Sequence, residues 1–337
     1  MRTCPDAPAG KAIDGEHVPE SIDPPVITVF GPDPLLSITI EASGAGDEMH
    51  VHAAGQGVWV ARTATELGAR PILCCMLGDE TGATLDSLLQ RASLRRRVVW
   101  TSGSSGSYVV DRRAGERSLV ATSLRPAPQR HELDDLVAAT IAAASESALL
   151  VMCNPYPADG FPEDAYETIA ADVKALGVPV IVDLSSPRLD RTLACEPDLV
   201  KCNDWELAEY IRGPVDGTRA LDAARRICAD GARAVAVTRA QAPILVVPAD
   251  EQPFEVVPPP LPRGFSREGC GDTMMGALAA GWSRGLGLRE ALVLGAAAGS
   301  INFLRRGLGS GTRAAIEELA PRVVVRSAIA TKPTSTI

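Results

Sequence analysis

Several common features are missing from this chain, and each absence excludes something. No stretch approaches the roughly 20 continuous apolar residues of a membrane-spanning helix. The first 24 residues hold Pro5, Pro8, Pro19 and Pro24 among charged residues, with no apolar core of a secretory leader. No Cys-x-x-Cys pair occurs among Cys4, Cys74, Cys75, Cys153, Cys195, Cys202, Cys228 and Cys270, and several of these lie in apolar runs. That pattern speaks against a zinc site or a disulfide framework and for buried free thiols in a reducing compartment. A basic excess is absent too: 33 Lys and Arg stand against 42 Asp and Glu, for a net charge of −9. A nucleic-acid binder would normally carry a basic stripe, and the one tight basic run, Arg95-Arg96-Arg97, reads as a solvated strand end. The expectation is a cytoplasmic protein with neither membrane nor nucleic acid as partner, long enough at 337 residues for a large core.

Short β-rich runs alternate with helical patterns along most of the sequence. Val26–Phe30, Pro71–Leu77, Ala148–Met152, Val178–Asp183, Asp198–Lys201 and Ala234–Thr238 read as strands, and Gly57–Leu67, Thr81–Ala92, Asp164–Leu176, Trp205–Ile211 and Arg219–Ala229 as helices. Near-continuous apolar strands separated by helices predict an α/β fold, a doubly wound and mostly parallel sheet covered on both faces. Two stretches, about 34–53 and 98–122, have strand-like alternation without intervening helices and predict a small β-sheet lid. The C-terminal third turns to small-residue helices, Asp272–Arg284, Leu288–Phe303 and Gly311–Leu319. One domain over 25–325 follows, between disordered tails at 1–24 and 326–337.

Gly269-Cys270-Gly271-Asp272 opens the first of these helices. Two glycines let the backbone turn tightly and aim successive N–H groups at one spot, at the positive end of a helix dipole. Donors for an oxyanion beside a carboxylate suit phosphoryl transfer to an alcohol, with Asp272 taking the hydroxyl proton. A glycine turn with an Asp helix cap explains the same four residues.

The stretch GFSREGCGDTMMGALAAGW resembles the second signature, D-T-x-G-A-G-D, of the ribokinase/PfkB carbohydrate kinases. Gly269, Gly271 and Asp272 match; Ser266, Arg267 and Cys270 depart. Residues 53–82 are similar to the family's first signature, and Lys201-Cys202-Asn203-Asp204-Trp205-Glu206 to its K-P-N-x-x-E segment. Residues 154–167 and 307–319 also resemble family segments in order, and the branch containing 1-phosphofructokinase and tagatose-6-phosphate kinase is most similar. The resemblance implies a ribokinase-like fold with a β-sheet lid that mediates homodimerisation. It implies transfer of the ATP γ-phosphoryl group to a sugar hydroxyl with Mg²⁺, and leaves room for a monovalent cation. Asp272 is then the base, and the amides of Gly269, Cys270 and Gly271 form the anion hole. Asn203 and Glu206 match the pair associated with magnesium; their i, i+3 spacing at a helix start aims both the same way and equally makes a capping box.

The acceptor side departs from that pattern. Ser37 stands where the branch carries an Asp on the first lid strand, Gln56 replaces a Lys and Trp59 an Asn, while Gly55 and Gly57 keep the loop. A Ser lacks the capacity of an Asp to accept two hydrogen bonds. His50 and His52 alternate on one strand and share a face, so His52 is an acceptor candidate beside the readings of a metal pair or solvent-facing residues. Asn154 is a further acceptor contact. Thr238, Arg267, Asn302 and Gly307 are placed on the nucleotide side. Three readings stay open: a kinase for a less polar or unphosphorylated acceptor, a sugar-phosphate kinase whose phosphate contacts come from Arg62, Arg263 or Arg267, and a nucleotide- or sugar-binding regulatory protein.

Overall fold

The computed structural model describes residues 23–156, 160–240, 242–261 and 264–328. Its first half runs β1 (Val26–Phe30), β2 (Leu35–Ser43), β3 (Gly46–Ala54), α1 (Gln56–Glu66), β4 (Arg70–Gly78), α2 (Asp79–Arg91), β5 (Arg95–Thr101), β6 (Ser107–Asp111), β7 (Ser118–Ser123) and α3 (Arg130–Ala144). There follow β8 (Leu150–Cys153), α4 (Glu163–Ala175), β9 (Val180–Asp183), α5 (Arg188–Leu193), β10 (Leu199–Asn203), α6 (Asp204–Ile211), α7 (Gly217–Ala229) and β11 (Ala234–Arg239). The last part holds β12 (Ala242–Pro248), β13 (Phe254–Val257), α8 (Cys270–Ser283), α9 (Leu288–Phe303), α10 (Arg313–Leu319) and β14 (Val324–Ser327).

Ten strands form one sheet in the order β14-β13-β12-β11-β10-β9-β8-β1-β4-β5. From β5 to β11 every pairing is parallel; β12, β13 and β14 extend the edge antiparallel. Strands such as β8 and β9 are buried along their whole length, because helices cover both faces. One core cluster joins a sheet face to α1, α2, α8 and α9, and the other joins the opposite face to α3, α4, α5 and α7. The helix α3 and the antiparallel extension were not foreseen in the sequence.

A second sheet, ordered β3-β2-β6-β7, is the expected small one. Its second segment begins later than expected, because β5 pairs in parallel with β4 (Ile72↔Arg95 to Gly78↔Thr101) and belongs to the large sheet. Arg95 and Arg97 are exposed on this edge strand, where charge discourages pairing with another chain. At the other end, Arg326 and Ser327 belong to β14, so the start of the expected C-terminal tail is strand; residues 329–337 of that tail and residues 1–22 of the expected N-terminal tail, 1–24, lie outside the described residues. The seven described cysteines are free thiols, and no helix among the described residues is long and apolar enough to cross a membrane.

Close helix packing positions the key turn. A Cβ on Gly276 would lie 2.4 Å from the carbonyl oxygen of Val60, so only a bare Cα lets α8 settle on α1. One turn earlier on α8 stands Asp272, opposite Gln56 at the start of α1.

Candidate active site

The carboxyl ends of the parallel strands converge beneath the N-terminus of α8, the usual crevice of a doubly wound sheet. Gly269, in the left-handed region at φ 69°, turns the chain into the helix. The helical ladder starts with Thr273 N donating to Gly269 O at 2.9 Å, while Cys270 N donates to Arg267 O at 3.3 Å. Among the described residues the amides of Gly271 and Asp272 meet no acceptor. The donors left over at this turn are therefore those of Gly271 and Asp272, whereas the Cys270 amide is engaged within the turn.

Four ionisable side chains gather here. Asp183, last in β9, is fully buried and accepts a 2.7 Å hydrogen bond from Lys201 Nζ of β10. The surrounding carboxylates, Asp183 first, hold the buried ammonium well above its usual range despite the burial that opposes it. A methyl group on Gly271 would come 2.8 Å from Lys201 Nζ, so the cation lies directly under the free amides. Burial, reinforced by Asp183 and opposed by Lys201, pushes the Asp272 carboxyl up to about 7, and Gln56 hydrogen-bonds to it. A carboxyl titrating there is matched to proton abstraction near neutral pH. Sequence reading does not single out Asp183 or Lys201 as site side chains: Lys201 stands out only as part of a motif, and an Asp at a buried strand end carries no local signal.

Asn203 and Glu206 do form the capping box of α6: Asn203 Oδ1 accepts from Glu206 N, and Glu206 Oε2 from Asn203 N, each at 2.8 Å. The second Glu206 oxygen meets no donor among the described residues, and burial together with Asp183 raises this carboxyl. Asp183 Oδ1 is buried without any partner among the described residues. Among those residues no group of three His, Cys, Asp or Glu side chains forms a metal cage. Two oxygens with spare lone pairs beside an anion pocket fit a hydrated Mg²⁺ held mostly by water and phosphate.

Above the crevice, between the small sheet and α1, lies a cavity of about 430 Å³. Ser37, His50, His52 and Tyr108 line it from the sheet, Trp59 and Arg62 from α1, and Arg306 and Gly307 from the loop after α9. Ser37 hydrogen-bonds to Tyr108, and Trp59 packs on the lid residues Leu35, Ala54, Tyr108 and Val110. The His50 and His52 rings stack with centroids 6.2 Å apart; burial, then His50 and Arg62, lowers the His52 pKa. Sequence reading missed Arg112, Arg117 and Glu268, which also reach this cavity. Arg112 NH2 donates to Glu268 Oε2 at 2.6 Å, and Arg117 Nε lies 3.2 Å from the same oxygen.

The remaining candidates divide. Gln56 joins the two halves, since its Oε1 accepts the Asn154 amide at 2.7 Å while the side chain reaches Asp272. Asn154 Oδ1 accepts from both the amide and the hydroxyl of Ser185, which orients its remaining NH₂. Gly55 caps α1 at φ 111°. Gly57 is buried, and a Cβ there would lie 2.7 Å from the Gly31 Cα, so a bare Cα is needed for close packing. Thr238 pairs with Asn203 across β10 and β11, and Arg267 is exposed. Asn302 is fully buried: its Nδ2 donates to Glu268 O at 2.9 Å and its Oδ1 accepts from Gly309 N at 2.9 Å, so its side chain ties the turn to the loop after α9. Gly307, placed on the nucleotide side from sequence, lines the lid cavity. Arg62 lies in that cavity too, whereas Arg263 falls outside the described residues.

The sequence pattern of the pfkB family carbohydrate kinases matches residues 27–315. The chain belongs to that family. It is 33% identical over 159 residues to the 1-phosphofructokinase of Rhodobacter capsulatus, spanning 46% of this chain and about half, 49%, of that protein. To ATP-dependent 6-phosphofructokinase isozyme 2 of Mycobacterium tuberculosis it is 28% identical over 271 residues, 78% of this chain and 77% of the relative. Phosphofructokinase-2 from Escherichia coli, solved in complex with substrates and products, shares the fold at a TM-score of 0.76 and 24% identity, over 88% of this chain and 98% of that one. The ribokinase-like doubly wound fold expected from the sequence is the one observed, and membership of this pfkB family implies ATP and a divalent metal.

Proposed function

We propose that this pfkB family member transfers the γ-phosphoryl group of ATP to a hydroxyl of a sugar or sugar-like acceptor, with Asp272 as general base. The observation that carries the reading is the Asp272 carboxyl, pushed up to about 7 beside two free helix-terminal amides and above a buried ammonium. The acceptor enters between α1 and the lid and turns one hydroxyl toward Asp272. Gln56, fixed by the Asn154 amide, holds the carboxyl in line. As the hydroxyl attacks, Asp272 receives its proton, and the amides of Gly271 and Asp272 with Lys201 stabilise charge on the transferred group. Asp183 and Glu206 would hold hydrated Mg²⁺, which neutralises phosphate charge when bound.

One observation favours a sugar-phosphate acceptor within this reading. Arg62 lines the cavity half-buried and has no ion-pair partner among the described residues, whereas Arg112, Arg117 and Arg306 each face a glutamate. An uncompensated guanidinium is suited to a phosphate or carboxylate of the acceptor. A cytoplasmic setting goes with ATP as donor. A homodimer formed through the lid is supported by the outer face of that sheet, where Met49 and Val51 are 66% and 46% exposed. The monovalent cation rests on the family resemblance alone; activity in potassium against choline chloride checks it.

The test is ADP release over a panel of free sugars, sugar phosphates and nucleosides, for the wild type and Asp272→Asn. A kinase phosphorylates one class of acceptor and loses about 10²- to 10⁴-fold in turnover in the variant while still binding ATP. Acceptor-independent hydrolysis that the substitution leaves untouched would instead mark a binding protein.

A further inference from the structure

We infer that Glu268 is the carboxylate that reads the acceptor's hydroxyls; the inference rests on the carbohydrate-kinase reading above. Glu268 immediately precedes the Gly269 turn, and its backbone is pinned from both sides. Its amide donates to Ser266 Oγ at 3.1 Å, and its carbonyl accepts from the fully buried Asn302 side chain at 2.9 Å. The side chain is thereby directed into the lid cavity. There Arg112, at 2.6 Å, and Arg117, at 3.2 Å, both address one oxygen, Oε2. The other oxygen has no partner among the described residues, while the carboxylate remains 23% exposed to the cavity.

That arrangement differs from a saturated salt bridge. A carboxylate offers about four lone-pair sites, and two arginines gripping one oxygen leave the second oriented and free. The other polar groups around it suit a polyol poorly. Ser37 and Tyr108 bond to each other, and Tyr108 bonds on to Arg117, so the hydroxyl pair is consumed in a relay that ends at Glu268. Glu41 faces Arg306 at 3.6 Å and Glu48 faces His50 at 3.6 Å, both on the lid strands and away from the turn. Glu268 is the cavity carboxylate anchored to the same turn as Asp272. An acceptor hydroxyl bonded to it is held at a fixed offset from the reacting one, and lid position is coupled to acceptor binding through Arg112 and Arg117.

The experiment compares wild type, Glu268→Gln and Glu268→Asp on whichever acceptor of the panel the wild type phosphorylates. In Glu268→Gln the amide oxygen turns to the arginines and the free position becomes a donor, reversing its polarity. The expected result is a rise in acceptor KM of about ten- to a hundredfold, the range for a hydrogen bond to a charged group, with the KM for ATP changed less than about twofold. Glu268→Asp recovers part of the loss. Among monodeoxy analogues of the acceptor, one loses binding in the wild type and loses little more in Glu268→Gln. Arg113→Ala, on the same hairpin but turned to Asp111 and Asp47, is the control and keeps both constants. An acceptor KM that stays constant or falls overturns the inference, a fall marking Glu268 as a counter-ion displaced by an anionic acceptor. Equal rises in both KM values also overturn it, because they mark a structural role in the turn. Failure of the wild type to phosphorylate any member of the panel overturns the kinase reading itself, and this inference with it.

Discussion

Asp272→Asn is expected to stabilise the protein while removing its activity, and the gain should depend on pH in a defined direction. The carboxyl titrates at about 7 in the folded chain against an ordinary value of 3.8. The folded state therefore holds this proton more tightly than the unfolded state does. The associated stability is fully present below about pH 3.8, is lost progressively as pH rises toward 7, and above 7 is a constant cost. Three units correspond to about 4 kcal/mol at most; with partial relaxation of the ionised form about 2 kcal/mol is the working figure. Asparagine keeps the shape and never ionises. For roughly 300 ordered residues, 2 kcal/mol amounts to about 3 °C in Tm. Calorimetry of both proteins from pH 4.5 to 8.5 should show a Tm difference that is already present at the acid end, grows as pH rises and reaches that size above about pH 7. In parallel, wild-type kcat/KM should climb about tenfold per pH unit below 7 and level off above it, an inflection missing from the residual activity of the variant. A Tm difference independent of pH, or a wild-type profile without an inflection between about pH 6 and 8, would falsify the assignment of a burial-raised base.

Gly271→Ala brings a methyl group to 2.8 Å from Lys201 Nζ; it should lower kcat by at least about tenfold, as for a displaced oxyanion donor, with a small change in Tm. Lys201→Met strands the buried Asp183 carboxylate and should cost about 3–5 kcal/mol by urea unfolding, much of it recovered in Lys201→Met/Asp183→Asn. Met49→Glu with Val51→Glu should shift the mass measured by light scattering from dimer to monomer; an unchanged mass would remove the lid face as the interface.

The periodic parts of the fold were readable from sequence because strands buried on both faces leave long apolar runs. Val180–Asp183 is such a run, and the observed strand ends where the apolar pattern does. The lid was harder. Arg95–Thr101 alternates like a lid strand, and only its pairing with β4 assigns it to the large sheet; periodicity does not choose partners. In the site, Asp272 was legible through its glycines and Asn203 with Glu206 through their spacing. Lys201 and Asp183 contact each other across neighbouring strands 18 positions apart, a relation that only the register creates. Glu268 likewise looks like any surface acid until Arg112, 156 positions away, reaches it. Asn302 and Gly57 read from sequence as ligand contacts; the structure adds that both are buried and hold neighbouring segments together, which no local pattern announces.

The two sheets also bear on how such a protein diversifies. The groups proposed for phosphoryl transfer hang from β9, β10 and the start of α8, whereas most of the lid cavity is drawn from β2, β3, β6 and the face of α1. Substitutions in the small sheet can alter acceptor preference while leaving the strand ends under α8 undisturbed, so the two functions can mutate largely independently. Glu268 is the exception, since its main chain belongs to one module and its side chain to the other. Changes at Arg112, Arg117 and Glu268 should therefore arise together in the history of such chains, while His52, outside that relay, drifts alone.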